Sequence, residues 1–522
     1  MKNGSNSDRL AWGDALFLYL EREGMPLNIA SVSIFEGDFS VEDCRAFIAS
    51  KLPLLPRYYQ RVVTPPLNVG FPSWENDPDF DICNHIREIS LKNGSEAGLK
   101  TLAGKILGKV MNRQRPLWDL TVVRGLKGNR TGLIVRIHHC LADGIAGIGL
   151  MNILMDSSPE LRPVANRKKI RQRRRAQDPL TQLLDGLLSA YSDVVERVLT
   201  AESSIASMGE RIAAGGGFPA EEFSELLPEL SAPTERLFFN VTYQGPQNVA
   251  WVKIPLADIT AVRERCGGKH NDVVLTVITA AVRRYAEVHG DSIKGRLLRM
   301  MVPVSVRDAE SACELGNRIS LLPVTIPLDI RPPLKLLAAV RQRTEFLKRA
   351  HIAELVGLAG GLVGFTPAPV QALVGPVASL LPITPFNLVC TNVRGPEAPL
   401  YLIGHKMLDW YPYVPVGGEM TLNCATLSYN GMSYFGFSGD VNAAPDLQNL
   451  EKFLDLSFKE LQHAAGIRPP HKKRAKSKKP VEPARTPSRV PPVSIAPSSI
   501  VAERTQSTTA EEEAVPAPLA AD

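Results

Sequence analysis

Paired cysteines are missing from this sequence. Cys44, Cys83, Cys140, Cys266, Cys313, Cys390 and Cys424 stand singly, and no CxxC spacing occurs. An odd, scattered set argues against a disulfide framework and a structural zinc site. The first residues, Met1 to Asp8, lack an apolar core, so no signal peptide is expected. Together these absences point to a reducing, cytoplasmic setting. Net charge is scarce as well: 60 Lys and Arg against 54 Asp and Glu leave +6 over 522 residues. Much of the excess sits in two runs, Arg167–Arg175 and Lys472–Lys479. Runs of this kind meet nucleic acid, an anionic membrane surface or solvent alone. No nucleic-acid partner is expected here. The chain also lacks a GxSxG elbow, a defensible internal repeat and any tight His/Asp/Glu cluster of metal-site type.

What remains is the composition of an ordinary globular protein, 44% hydrophobic and 22% charged. At this length two domains plus extras are expected. The sequence divides into a first α/β unit over 1–165, a basic and helical connection over 166–235 and a second α/β unit over 236–465. A Pro-, Ser- and Ala-rich tail over 466–522 is expected to be disordered. In the first unit, 31–35 reads as a strand and 98–107 as a helix. In the connection, 180–188 reads as an amphipathic helix. In the second unit, 249–254 and 300–306 read as strands and 271–285 as a helix with an apolar stripe. Pro303 marks an edge or a bulge in its strand, because it has no N–H to give to a ladder. No charge occurs from Leu355 to Val393, but Pro367, Pro369, Pro376, Pro382 and Pro385 interrupt that stretch. A buried apolar wall, an acyl channel or an interfacial patch is therefore expected rather than a membrane span.

The chemistry concentrates at His138-His139-Cys140-Leu141-Ala142-Asp143-Gly144. A β-branched run, 132–137, reads as a strand entering the histidines, and 144–155 reads as a helix leaving them. Histidine takes and returns a proton near neutral pH. Successive strand side chains point to opposite faces, so His138 and His139 do not readily share a metal ion. The same alternation assigns His138 an inward structural place and leaves His139 for chemistry. A Cys140 nucleophile is disfavoured, because neighbours on a strand diverge. Asp143 has two readings: orienting a histidine, or pairing with an arginine to hold the loop. A histidine acting alone as general base is the simplest reading left.

HHxxxDG is the motif of the CoA-dependent acyltransferase superfamily, and companion motifs follow in order. They are Arg115-Pro116-Leu117-Trp118-Asp119, His270-Asn271-Asp272-Val273-Val274-Leu275, Val302-Pro303-Val304-Ser305-Val306-Arg307, Leu315-Gly316-Asn317-Arg318 and Thr391-Asn392-Val393-Arg394-Gly395-Pro396. The set resembles the bacterial wax ester synthase/diacylglycerol acyltransferase family over about residues 8 to 465. That resemblance implies an α/β (α+β) fold of two chloramphenicol-acetyltransferase-like domains with the active-site channel between them. It implies fatty acyl transfer from acyl-CoA to diacylglycerol or a long-chain alcohol, with acyl-CoA a substrate and no cofactor or metal. His139 matches the family's catalytic histidine and Asp143 its motif aspartate.

On this reading His139 is the general base, His138 a supporting residue and Asp143 a loop anchor. Asn271 and Ser305 are candidate oxyanion or substrate contacts, and helix capping is the other role open to Asn271. Pro116, Leu117 and Trp118 are expected to shape the channel, and Asn392 and Gly395 to form a tight turn. The family often has aspartate at position 112, proline at 394 and histidine at 28, where this chain has Asn112, Arg394 and Asn28. Peripheral contact with a membrane or lipid droplet is expected. A non-catalytic lipid-binding paralogue and a condensation-type enzyme using carrier-bound substrates are the alternative functions.

Overall fold

Two six-stranded sheets carry the fold, and strands from the end of the chain complete the first of them. The computed structural model describes residues 9–160, 232–305, 319–349, 352, 366–380 and 385–467. The 180–188 helix, nearly all of the 166–235 connection, Cys313 and nearly all of the tail lie outside them. The first half runs α1 (Trp12–Leu20), β1 (Asn28–Glu36), α2 (Val41–Lys51), β2 (Gln60–Val63), β3 (Ser73–Asn76), β4 (Ile86–Ser90), α3 (Glu96–Leu107), β5 (Trp118–Leu126), β6 (Arg130–His138) and α4 (Gly144–Leu154). The second half runs β7 (Gln247–Pro255), α5 (Leu256–Cys266), α6 (His270–Val288), β8 (Leu297–Ser305), β9 (Ile319–Pro327) and α7 (Pro333–Arg349). It closes with α8 (Ala368–Leu380), β10 (Leu388–Arg394), β11 (Tyr401–Leu402), β12 (His405–Tyr413), β13 (Leu422–Tyr429), β14 (Met432–Asp440) and α9 (Asn449–Ala464).

The first sheet has the order β11-β12-β1-β6-β5-β4, and the second β7-β14-β13-β10-β8-β9. The unit boundary read from the sequence assigns residues 401–413 to the second half. Their pairing puts them in the first sheet, with Ala30 opposite Tyr413 and Val32 opposite Tyr411. Each half keeps its own apolar core. One is built around Val32, Phe35, Ile134 and Leu150, the other around Val274, Tyr285, Met300 and Leu450.

Backbone contacts permitted by two glycines join the halves. Gly104 of α3 lies against β7, where a Cβ would stand 2.2 Å from the Gln247 carbonyl oxygen. Gly436 of β14 lies against β12, where a Cβ would stand 1.9 Å from the Pro412 carbonyl oxygen. No other residue fits such an approach without moving backbone. Between these points the Trp251 and Tyr411 rings stack at 4.8 Å, and Trp251 Nε1–H donates to Glu96 Oε1 at 2.7 Å. The Lys100 ammonium sits 2.6 Å from Glu451 Oε1.

One irregularity opens the second sheet. Strands β8 and β10 run parallel and pair only at Met300–Leu388 and Met301–Val389. Beyond those pairs they part, while β10 stays in register with β13 from Cys390 to Arg394 and β8 with β9 throughout. Pro303 stands on the parted stretch. Its strand is interior in the sheet order, yet bare on the β10 side at that position. A residue with no N–H to donate fits there at no cost.

Candidate active site

The parting strands, the face of β12-β1-β6 and helix α4 enclose a cavity of about 510 Å³, within the size range of small-molecule sites. Val135, Ile137 and His139 line it from β6 and its end. Arg136 and His138 point to the opposite face, as strand alternation requires. There Arg136 grips Asp119 through Nε at 3.0 Å and Nη2 at 2.5 Å. Its Nη1 donates to the Ile106 and Lys109 carbonyls, tying the end of α3 to the sheet.

His138 is wholly buried and held on three sides. Its N–H donates to the Leu117 carbonyl at 3.0 Å, and its Nδ1 accepts the Cys140 N–H at 3.1 Å. With Nδ1 an acceptor, the proton of the neutral ring belongs on Nε2, which lies 3.2 Å from Glu21 Oε1. Glu21 also receives the Leu27 N–H and two donors from Arg113. Burial pushes the Glu21 carboxyl up, but His138, Arg113 and the Leu27 N–H outweigh it and hold the group below its ordinary range.

His139 is half-buried. Its N–H donates to the Leu27 carbonyl at 2.9 Å, which extends the β1–β6 pairing by one residue. Its ring stacks on Phe17 of α1 with centroids 4.0 Å apart and planes 11° from parallel. Cys140 points away into the core, where burial pushes its thiol well up, so it is not a thiolate nucleophile at neutral pH. Asp143 is buried and is the N-cap of α4: its Oδ1 accepts the Ala146 N–H at 2.7 Å. Gly144 follows with Val393 so close that a Cβ would stand 3.2 Å from its Cγ2.

Across the cavity, α6 starts with Asn271 in the wall. The helix is not capped by Asn271. Asp272 takes that part, accepting the Lys269 N–H at 2.6 Å. Asn271 Oδ1 instead accepts from Asn392 Nδ2 at 3.1 Å. Asn392 also lines the cavity, and it lies in strand β10 rather than in the turn its sequence suggests. The N-terminal ends of α4 and α6 thus both reach the cavity, and each brings the positive end of a helix dipole. The rest of the wall is mainly apolar, and among its residues only Asp143 and Arg394 carry full charge. Arg394 pairs with Glu397 at 2.5 Å on the surface.

The structure brings His139, Asp143 and Asn271 to one cavity. Ser305 ends β8 just beyond the lining residues Val302, Pro303 and Val304. Pro116, Leu117 and Trp118 are not among the lining residues. Leu117 gives its carbonyl to His138. Trp118 stacks on His85 at 4.4 Å and donates Nε1–H to the Tyr58 carbonyl at 2.8 Å, deep in the first core. A large buried ring with a hydrogen-bond partner for its N–H suits that core. Asn28 faces the same interior, donating Nδ2–H to the Lys109 carbonyl at 3.0 Å. Phe17 and Glu21 escape sequence reading altogether, since nothing local in Phe17-Leu18-Tyr19-Leu20-Glu21 marks either residue.

Comparison with known proteins identifies the family. The wax ester synthase/diacylglycerol acyltransferase catalytic domain profile matches residues 10–274, and that family's C-terminal domain profile matches residues 315–462. A probable diacylglycerol O-acyltransferase of Mycobacterium tuberculosis, tgs1, is 29% identical over 449 residues, covering 85% of this chain and 93% of the relative. A second from that organism, tgs2, is 27% identical over 472 residues, covering 88% and 100%. Among solved structures, the wax ester synthase/diacylglycerol acyltransferase of Marinobacter aquaeolei VT8 superposes with a TM-score of 0.61 at 21% identity, over 88% of this chain and 100% of that one. The first condensation domain of the calcium-dependent antibiotic synthetase shares the fold at a TM-score of 0.55 and 14% identity, over 89% and 98%. This chain belongs to the wax ester synthase/diacylglycerol acyltransferase family and is an acyltransferase.

Proposed function

We propose that the chain moves a fatty acyl group from acyl-CoA to the hydroxyl of diacylglycerol or of a long-chain alcohol, with His139 as general base. The observation that carries this reading is the division of labour in the histidine pair. His138 is locked against Glu21, while His139 faces an apolar cavity large enough for an alkyl chain and a thioester. His139 takes the proton of the acceptor hydroxyl as its oxygen attacks the thioester carbonyl. The carbon–sulfur bond of the tetrahedral intermediate then breaks, and the proton passes to the departing CoA thiolate. Both substrates are bound together, because no acyl-enzyme forms.

The oxyanion needs a donor aimed where its charge develops. Asn271 supports that part. With its Oδ1 occupied by Asn392 at the cavity wall, its amide N–H₂ is the donor it has to offer, at the positive end of α6. Asp143 holds His139 in place indirectly, by fixing the loop at the start of α4. The acceptors are water-insoluble, so the enzyme works at the edge of a membrane or lipid droplet. The test is CoA release from palmitoyl-CoA with dioleoylglycerol or hexadecanol as acceptor. Release with either one, abolished by His139→Ala, is expected. Release undiminished in that variant, or absent with both acceptors, overturns the reading.

A further inference from the structure

Helix α8 is apolar all round but buried on one side only. Ala368, Gln371, Ala372 and Gly375 form its inner stripe. That stripe packs on α1 so closely that a Cβ on Gly375 would stand 2.9 Å from Tyr19 Cβ. The outer stripe has the same helical spacing: Val370, Leu373, Val374 and Val377, with Leu373 72% exposed. A helix with apolar side chains on every face is normally enclosed. Beside α8 lies the turn at 66–68, where Leu67 is 83% exposed and holds a φ of 54°, a conformation an L-residue rarely adopts. These side chains give one outward apolar patch of the kind that marks an interaction site.

We propose that this patch, α8 with Leu67, seats the enzyme on the surface of a phospholipid layer. The proposal rests on the lipid-acceptor reading above for the nature of that surface. The chemistry of the patch favours lipid over protein. From Ala368 to Leu380 there is no charged side chain. The one amide, Gln371, is turned inward and donates to the Thr366 carbonyl. A protein interface needs a polar rim and hydrogen bonds, whereas an acyl layer needs neither. The position also fits. Helix α1, which lies beneath α8, carries Phe17 against His139 and is followed directly by Glu21, against His138. A lipid surface on α8 would therefore stand one helix away from the reacting histidine.

The test is co-flotation of the full chain with dioleoylphosphatidylcholine vesicles at low and high salt. It compares the wild type with Leu373→Asp/Val377→Asp, with Leu67→Asp, and with Val288→Asp as a control on an exposed apolar residue elsewhere. Binding of the wild type that salt does not weaken is expected, because no charge is engaged. The double variant should bind at least about tenfold more weakly, Leu67→Asp several-fold more weakly, and the control like the wild type. CoA release from hexanoyl-CoA with hexanol, a pair that needs no lipid surface, should be unchanged in every variant. Wild-type protein that fails to float, or a double variant that floats equally, overturns the proposal. So does a wild-type dimer that the double variant breaks, which would make the patch a self-interface. A melting temperature lowered by several degrees also overturns it, because the patch would then be covered by the chain itself. Patch-dependent flotation by an enzyme that releases no CoA from any pair would sustain the docking surface and defeat the acceptor reading instead.

Discussion

Glu21 Oε1 lies 3.2 Å from His138 Nε2, and neither side chain has any exposed surface. A buried carboxylate in contact with an imidazole sets the orientation of the first histidine and, through the chain, the direction of the second. Removing one partner leaves the other buried and unpaired, so Glu21→Ala should lower stability by about 3 kcal/mol. Glu21→Gln keeps an acceptor for the Nε2–H and should lose about 1 kcal/mol. The pH dependence has a definite sign. The folded carboxyl stands below its ordinary range, so the native state binds fewer protons than the unfolded chain. Its stabilisation is complete above the unfolded carboxylate pKa and drains away as pH falls toward the folded value. Melting curves of wild type and Glu21→Gln between about pH 6 and about pH 3 should therefore converge on acidification. A constant gap across that range would count against a charged Glu21.

Phe17 contributes to the site without taking part in proton transfer. Its ring lies flat on His139 at 4.0 Å and limits the imidazole to one plane. Aromatic pairs are worth about 0.5–1.5 kcal/mol beyond burial, and loss of that restraint translates into roughly tenfold in rate. Phe17→Ala is expected to lower kcat by about that factor with KM little changed, and Phe17→Tyr to restore it. Steady-state CoA release decides the matter. A KM rise at constant kcat would make Phe17 a substrate contact instead.

Much of this site could be read from local sequence, because its core is one strand, one loop and one helix. The β-branched run before His138 forms β6, the Asp-Gly pair starts α4, and strand alternation separates the two histidines as the sequence implies. What could not be read depends on partners far along the chain. Ala30 finds Tyr413 across a register that no local pattern encodes, which is why sequence order groups 401–413 with the second half. Asn392, with glycine and proline close behind it, has the look of a turn. Parallel pairing with Thr426 holds it in β10 instead, where its side chain reaches Asn271. Trp118 sits in a distinctive motif, yet its ring serves the core, and its neighbour Asp119 serves as the partner of Arg136.

Asp143 allows the anchoring and charged roles to be separated by two substitutions. Asparagine caps helices about as well as aspartate, whereas alanine does not. Since Asp143 Oδ1 accepts the Ala146 N–H at 2.7 Å in a buried setting, Asp143→Ala should cost about 1–2 kcal/mol, and Asp143→Asn should stay close to wild type in thermal melts. If the aspartate acts as loop anchor alone, Asp143→Asn also keeps most of its CoA-release rate. A rate loss of about a thousandfold or more in a normally folded Asp143→Asn protein would instead require its negative charge for the reaction.

The Asn271–Asn392 pair gives the sharpest test of how the oxyanion is met. The two amides come from different elements, the start of α6 and the middle of β10, and the bond between them spans 3.1 Å at the cavity wall. If Asn271 donates to the developing oxyanion, Asn271→Ala should lower kcat by about a hundredfold. Asn392→Ala, which only releases Asn271 from its orientation, should lose about tenfold, and the double variant should lose no more than Asn271→Ala alone. That lack of additivity is the signature of one residue acting through the other, and a double-mutant cycle on kcat measures it directly. Losses that multiply would show two independent contacts. Losses confined to KM would place both amides on the ground-state substrate rather than on the charge that forms during transfer.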